Sequence, residues 1–287
     1  MSAVRRDASE FHALPGFEAL ALDGPDAGAF LHAQLASDVA ALAPGDWQWS
    51  SWLGAQGRVL ALLLLLRIGP ESYVVLLPYG RADELAGKLR RFVLRARLAI
   101  ARAALHVSGA LAPPGGVGAA VATGGAALAA GDAWELELGG SGGRSLRLAP
   151  EPATGDAGTD WARADIADGV PWIAAAVADT EIPQALGLDR LGAYSLGKGC
   201  YPGQEVVART HYLGRSKRSL VRFRGPGPVV PAPGSLLSET WPGAVLGRVV
   251  AAVPDAAQVA GLAVLRGESD VAGEPGPVHP LAFEELR

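Results

Sequence analysis

The sequence predicts a mixed helix-and-strand protein of the α+β class, divided into two or three domains. Three observations carry that expectation. A strand, turn and helix open the chain; a meander, a helix and a hairpin follow between Trp47 and Leu148; and beyond Arg215 come short apolar segments broken by Pro and Gly. At 287 residues the chain exceeds what one core comfortably serves.

The opening stretch "FEALALDGPDAGAFLHAQLASDV" first alternates, with Leu20 and Leu22 on one face, and turns at Gly24-Pro25. Pro25 suits the first position of a helix, where its missing N–H is no loss, and Ala27, Phe30, Leu31 and Leu35 follow at helical spacing. From Trp47 to Leu77, three apolar runs separated by "GAQG" and "GPES" read as a meander. The middle run, "VLALLLLL", is far short of the ~20 residues that cross a membrane and reads as a buried strand. Arg81 to Leu94 then places Leu85, Leu89, Phe92 and Val93 on one helical face. Ala110 to Asp132 is so rich in Ala and Gly that a weakly marked helix and a loop are both open. "WELELGGSGGRSLRL" reads as a hairpin, with Trp134, Leu136 and Leu138 on one arm and Leu146 and Leu148 on the other. The Pro/Gly/Asp-rich "APEPATGDAGTD" marks a boundary, and the short segments after Arg215 suggest a small all-β module.

Composition excludes several classes. Hydrophobic residues make up 49% and charged ones 19%, enough to bury a core and unlike a disordered chain. A net charge of -4 and a pI near 5.8 argue against a protein held to nucleic acid or lipid by its overall field, while leaving room for a local basic patch. The one cysteine cannot form an internal disulfide, and "MSAVRRDASEFHALPGF" lacks the apolar segment of a secretion signal, so a cytoplasmic, non-membrane protein is expected. His12, His32, His106, His211 and His279 are scattered, and a single thiol cannot hold a cluster that takes about four Cys ligands. The chain alone is therefore expected to bind no metal.

The one thiol lies in "KGCYPGQEVVART". Pro202 and Gly203 take the middle places of a four-residue turn, the pair that type II geometry wants. Gln204 and Glu205 then suit the first turn of a helix, whose N–H groups are unpaired. Cys200 would sit ahead of that positive end and two residues from Lys198, both of which favour a thiolate. The residues alone leave two readings: a reactive thiol, or a small buried hydrophobe.

"KGCYPGQE" resembles the signature of the YgfZ family of folate-binding proteins at all seven fixed places, Lys198, Gly199, Cys200, Tyr201, Gly203, Gln204 and Glu205. The flanking "EIPQALGLDRLGAYSLG" and "VVART", and upstream "FLHAQLASDV", "GAQGRVLA" and "WARADIADGVPWI", are similar to that family's segments as well. The likeness runs from about residue 15 to 225 and is weakest over 105–155. It implies the three-domain ring of the glycine cleavage T-protein. Residues 1–46 and 155–214 would form an interrupted folate-binding domain, 47–154 a ferredoxin-like α+β domain, and 215–287 a small β-barrel. T-proteins carry an acidic pair in the first hairpin, where this chain has Leu60 and Ala61, so aminomethyl transfer by that route is not expected.

The resemblance further implies a tetrahydrofolate, or a derivative, as cofactor, with Phe17 and Trp161 as contacting aromatics; Phe17 stands where tryptophan is common. As residues, both also read as ordinary core. Gln34 and Asp38, at i and i+4, are candidates to line the same opening, with capping as the alternative. Arg209, Arg215, Lys217, Arg218, Arg222 and Arg224 form a basic cluster, read either as a solvated strand face or as a rim for a polyglutamate tail, a partner or tRNA. The implied function is support of iron-sulfur cluster assembly or repair and, through cluster enzymes, of tRNA modification. Cys200 and Lys198 would act on a client enzyme or cluster carrier, and direct tRNA contact is the less favoured reading. A folate-dependent one-carbon transferase and a docking protein with folate as structural ligand are the alternatives.

Overall fold

The computed structural model of the chain describes residues 7, 10–111, 120–140, 143–214, 216–227, 229–238, 245–266 and 282–285. In chain order they form β1 (His12–Ala13), β2 (Glu18–Asp23), α1 (Ala27–Gln34), β3 (Asp46–Leu53), β4 (Val59–Arg67), β5 (Ser72–Leu77), α2 (Ala82–Arg90), β6 (Ala99–Arg102) and β7 (His106–Ala110). Then come β8 (Gly124–Ala126), β9 (Leu128–Ala130), β10 (Ala133–Gly139), β11 (Arg144–Ala149), α3 (Gly158–Asp168) and α4 (Gln204–Leu213). The last strands are β12 (Arg218–Pro226), β13 (Leu236–Ser238), β14 (Val245–Asp255), β15 (Gln258–Arg266) and β16 (Ala282–Glu285).

Three antiparallel sheets result, ordered β6-β2-β5-β4-β3-β8, β1-β7-β11-β10-β9 and β13-β14-β15-β12-β16. β4 explains its own unbroken apolar run, because a strand covered on both sides needs no polar face. Leu62, Leu64 and Leu66 join Trp47, Trp49 and the hairpin leucines in one core, while Leu63 and Leu65 share a second with Leu31 of α1 and Leu85 and Leu89 of α2. The two arms read from the sequence do form that hairpin, which pairs Trp134 with Leu148 and Leu136 with Leu146. Beyond residue 215 the described elements are all strands.

Several expectations are corrected. The path β2, α1, β4, β5, α2, β6, with strand order β6-β2-β5-β4, is the split βαβ arrangement of ferredoxin-like units. It occupies residues 18–102, so the boundary expected at 46/47 cuts one sheet, in which Ala19 to Leu22 pair with Leu76 to Tyr73. Such pairing across some fifty residues leaves no trace in local periodicity. Pro25 precedes α1 by two residues; Asp26 holds the cap position, and its carboxylate is engaged by the Arg97 N–H at 2.7 Å. α2 ends at Arg90, after which bonds from Phe92 N–H to Leu89 and from Val93 N–H to Arg90 tighten the chain and leave Phe92 51% exposed. The described part of the Ala/Gly-rich stretch is neither helix nor plain loop. β8 pairs with β3 there, where a Cβ on Gly124 would lie 2.6 Å from the Trp47 carbonyl oxygen. No helix among the described residues is long and apolar enough to cross a membrane.

Candidate functional site

The thiol lies on a rigid turn. Gly203 has φ 79° and ψ 1°, and the Gln204 N–H donates to the Tyr201 carbonyl at 3.2 Å, the type II geometry that Pro202-Gly203 predicts. α4 begins at Gln204, with Glu205 in its first turn, and Cys200 is exposed just ahead of it. Gly203 is indispensable on a second count. The turn of the β3–β4 hairpin packs against it so closely that a Cβ on Gly203 would lie 2.5 Å from Gly57 Cα and 2.6 Å from the Gly54 carbonyl oxygen. Two turns thus meet backbone to backbone.

The rest of the motif closes the loop on itself. Tyr201 is buried and donates its hydroxyl to the Ser195 carbonyl at 3.0 Å, and the Gln204 amide donates to the Lys198 carbonyl at 3.4 Å. Lys198 is also buried. Its ammonium donates to the carbonyls of His32, of Leu35 at 2.6 Å and of Ser37 at 3.1 Å, so it satisfies carbonyls at the C-terminal end of α1, where a cation is favoured. Burial draws its pKa down to about 8, opposed by the charge of Asp38. Lys198 is therefore spent on tying the thiol loop to α1. A Cβ at Gly199 would meet nothing within 4 Å, and nothing in the structure explains that glycine.

A second feature is an aromatic cavity of about 120 Å³, lined by Leu14, Phe17, Tyr79, Trp161, Asp165 and Trp172 among others. Phe17 meets Trp172 edge-on at 5.3 Å, and Trp172 leans on Trp49 at 5.2 Å. The Trp161 ring lies over Gly109, where a Cβ would come within 2.5 Å of it, and the Arg144 guanidinium sits 5.1 Å from its centroid. Arg144 is buried between Asp165 at 2.5 Å and Asp168 at 2.8 Å, and Asp165 also accepts the Trp172 indole N–H at 2.9 Å. Burial pushes the Asp165 carboxyl up to about 6, against the pull of Arg144 and the indole. Tyr79 holds a left-handed φ of 70°, rare for a non-glycine residue and frequent at binding sites. The Trp161 Nε1 is buried with no acceptor among the described residues. Flat walls, an orphaned donor and a carboxylate fit a planar heterocycle such as the pteridine of a folate.

Other expected residues disperse. α1 stops at Gln34 because Leu35 turns extended, so Asp38 is not on the helix; it accepts the Ala40 N–H at 3.1 Å and caps a local turn. Neither Gln34 nor Asp38 lines the aromatic cavity. Leu60 and Ala61 lie on β4. In the basic cluster Arg218 pairs with buried Glu181 at 3.1 Å, Arg222 donates to the Ala167 carbonyl near the end of α3, and Arg224 approaches Asp255 at 3.9 Å. Arg209 is exposed on α4, and Arg215 lies outside the described residues. Asp165, Trp172, Arg144 and Tyr79 escaped the sequence reading. Trp161, Asp165 and Asp168 do recur at i, i+4 and i+7, a stripe with two carboxylates on a buried face that would have exposed one of them, Asp165.

No family model matches the chain. Among curated proteins it is 30% identical over 225 residues to the "tRNA-modifying protein YgfZ" of Edwardsiella ictaluri, covering 71% of this chain and 67% of that one. To the protein of the same name from Cronobacter sakazakii it is 42% identical over 102 residues, 34% of this chain and 30% of that one. Among solved structures, the glycine cleavage system aminomethyltransferase T from Bartonella henselae superposes with a TM-score of 0.64 at 14% identity, over 89% of this chain and 78% of that one, a likeness of fold.

Proposed function

The chain belongs to the YgfZ family, whose curated members are named tRNA-modifying proteins, and from that premise we propose that it binds a reduced folate and supports tRNA modification through iron-sulfur enzymes. The observation that carries the folate reading is convergence. Phe17 and Trp161, the two aromatics that the family resemblance implies, line one cavity, and Trp172, Tyr79 and the Asp165 carboxylate complete its wall. In this reading the touching Phe17 and Trp172 rings form an apolar wall against which the pteridine lies, Trp161 Nε1 donates to one of its acceptors, and Asp165 accepts from its amino edge. The bound folate supplies one-carbon or reducing chemistry; the chain's own part is to bind, orient and shield it.

Cys200 supplies the second half. Exposed on a rigid turn just ahead of α4, its sulfur serves as a ligand to a cluster intermediate brought by a partner enzyme, the thiol proton passing to water as the metal–sulfur bond forms. Lys198 fixes where that sulfur points. Closure of the third sheet into a barrel and of the chain into a T-protein-like ring, with the folate at its centre, belong to the same proposal. Aminomethyl transfer does not, since Leu60 and Ala61 offer no carboxylate.

Calorimetric titration with tetrahydrofolate is the test, run on the wild type and on Trp161→Phe and Phe17→Leu. Each substitution keeps bulk and should weaken binding by up to roughly tenfold, the worth of an aromatic contact. Absence of binding heat, or affinity indifferent to both, would refute the folate site. Cys200→Ser, folded and folate-binding, should lower the activity of cluster-dependent tRNA-modifying enzymes in cells; unchanged activity would reduce the cysteine to a bystander.

A further inference from the structure

Two adjoining cavities, of about 270 and 610 Å³, run along the seam between α4 and β12 and share Thr210, Ser216 and Arg218 in their walls. Arg58 and Lys217 flank the smaller one, and His211 and Tyr194 the larger. Arg218 is neutralised by Glu181, but among the described residues Arg58 donates only to a backbone carbonyl, that of Asp179 at 3.2 Å. Lys217, and Arg209 on α4, have no carboxylate partner among the described residues. In a chain of net charge -4 this is a local concentration of uncommitted cations.

Beside it stands a feature that cations alone do not explain. Tyr212 is 70% exposed, packed edge-on against the His211 ring at 4.9 Å, and Leu213 is 84% exposed. An aromatic pair left in water at the edge of a cationic groove is the arrangement that takes single-stranded nucleic acid. The cations meet phosphates, and an unstacked base lies on the ring. A polyglutamate tail would use the cations and leave the rings bare. The geometry points to a single-stranded RNA segment, such as a tRNA loop, as the occupant of the α4–β12 groove, with Arg58, Arg209 and Lys217 on its phosphates and Tyr212 under a base. This rests on the tRNA-modification half of the proposed function. Arg58 directly follows Gly57, which packs on Gly203, so the groove opens beside the turn that presents Cys200 and would bring the RNA to the same rim as the thiol.

The test is fluorescence anisotropy of an end-labelled, unmodified tRNA transcript with the full chain between 50 and 200 mM salt. With about three phosphates engaged, log K against log salt should fall with a slope near -2. Lys217→Glu should flatten that slope and weaken binding at least tenfold. Tyr212→Ala should weaken it roughly tenfold with the slope unchanged. Both residues are on the surface, and circular dichroism checks the fold. No binding at 50 mM salt, equal binding of a DNA duplex of the same length, or affinity untouched by both variants would overturn the assignment. So would Lys217→Glu weakening a tetrahydrofolate triglutamate and not the tRNA, which would make the groove a tail site. Titration of the same variants with monoglutamate tetrahydrofolate reports on the aromatic cavity separately, so one reading can fail without the other.

Discussion

Replacing Arg144 by Met tests whether the carboxylates beside the aromatic cavity are held by one cation. The guanidinium is fully buried, hydrogen-bonded to Asp165 and ion-paired with Asp168, each buried as well. Methionine preserves most of the volume but strips Asp165 of its cation and Asp168 of its contact with Arg144, a change that costs roughly 3–5 kcal/mol when a buried pair is broken. The cost must depend on pH. In the wild type the folded pKa of Asp165, about 6, lies above its unfolded value of 3.8. Proton uptake therefore favours the folded state, fully below about pH 4, and that contribution is lost as pH rises through 6. Without Arg144 the chief opposing influence is gone, the folded pKa rises further, and the window moves up with it. Urea denaturation followed by tryptophan fluorescence should show the full loss at pH 7.5 and half of it or less at pH 5. A loss equal at both pH values, or below about 1 kcal/mol at pH 7.5, would refute a buried ion triad.

Three further outcomes follow from the geometry. Gly203→Ala combines a left-handed φ, costing roughly 1–2 kcal/mol for a residue with a Cβ, with a clash against Gly57. It should lower thermal stability and speed alkylation of Cys200, and a variant as stable as the wild type would contradict the packed turns. Lys198→Met strips three carbonyls of their donor, at roughly 1–3 kcal/mol. Hydrogen exchange should accelerate in 32–40 and 195–204 together, and acceleration in neither would deny the tether. Gly109→Ala should push the Trp161 ring aside, shifting its fluorescence and weakening tetrahydrofolate in calorimetry, and an unmoved spectrum would count against the close contact.

What was legible in the sequence is what single residues decide. Pro202 and Gly203 each restrict φ, so their turn could be typed and the helix behind it placed, and the alternation in "WELEL" and "SLRL" marked the two arms of the hairpin. What stayed hidden involves partners far along the chain. Pairing of β2 with β5 depends on neither strand's own pattern. The cage around Lys198 is made of backbone carbonyls, which carry no residue signature, so a lysine near the thiol invited a chemical reading of a side chain spent on structure. Asp165 was overlooked for a related reason, since its partner Arg144 sits in a hairpin across a Pro/Gly-rich gap. The failed pairing of Gln34 with Asp38 came from extending a helix past Leu35, where only the backbone announces the stop.

Leu62 through Leu66 are five identical residues on a strand with no solvent side. Sliding such a strand by one place would put leucine where leucine was, so it cannot tell up from down and is nearly mute about alignment. The instruction must come from its neighbour, from Trp47 and Trp49 and the irregularity at Trp52/Leu53. Since the tip of this same hairpin supplies Gly57 to Gly203, a misaligned ribbon would miss its landing place and carry the sulfur astray. The address of the thiol is thus written in tryptophans on the adjoining strand, more than 140 residues upstream.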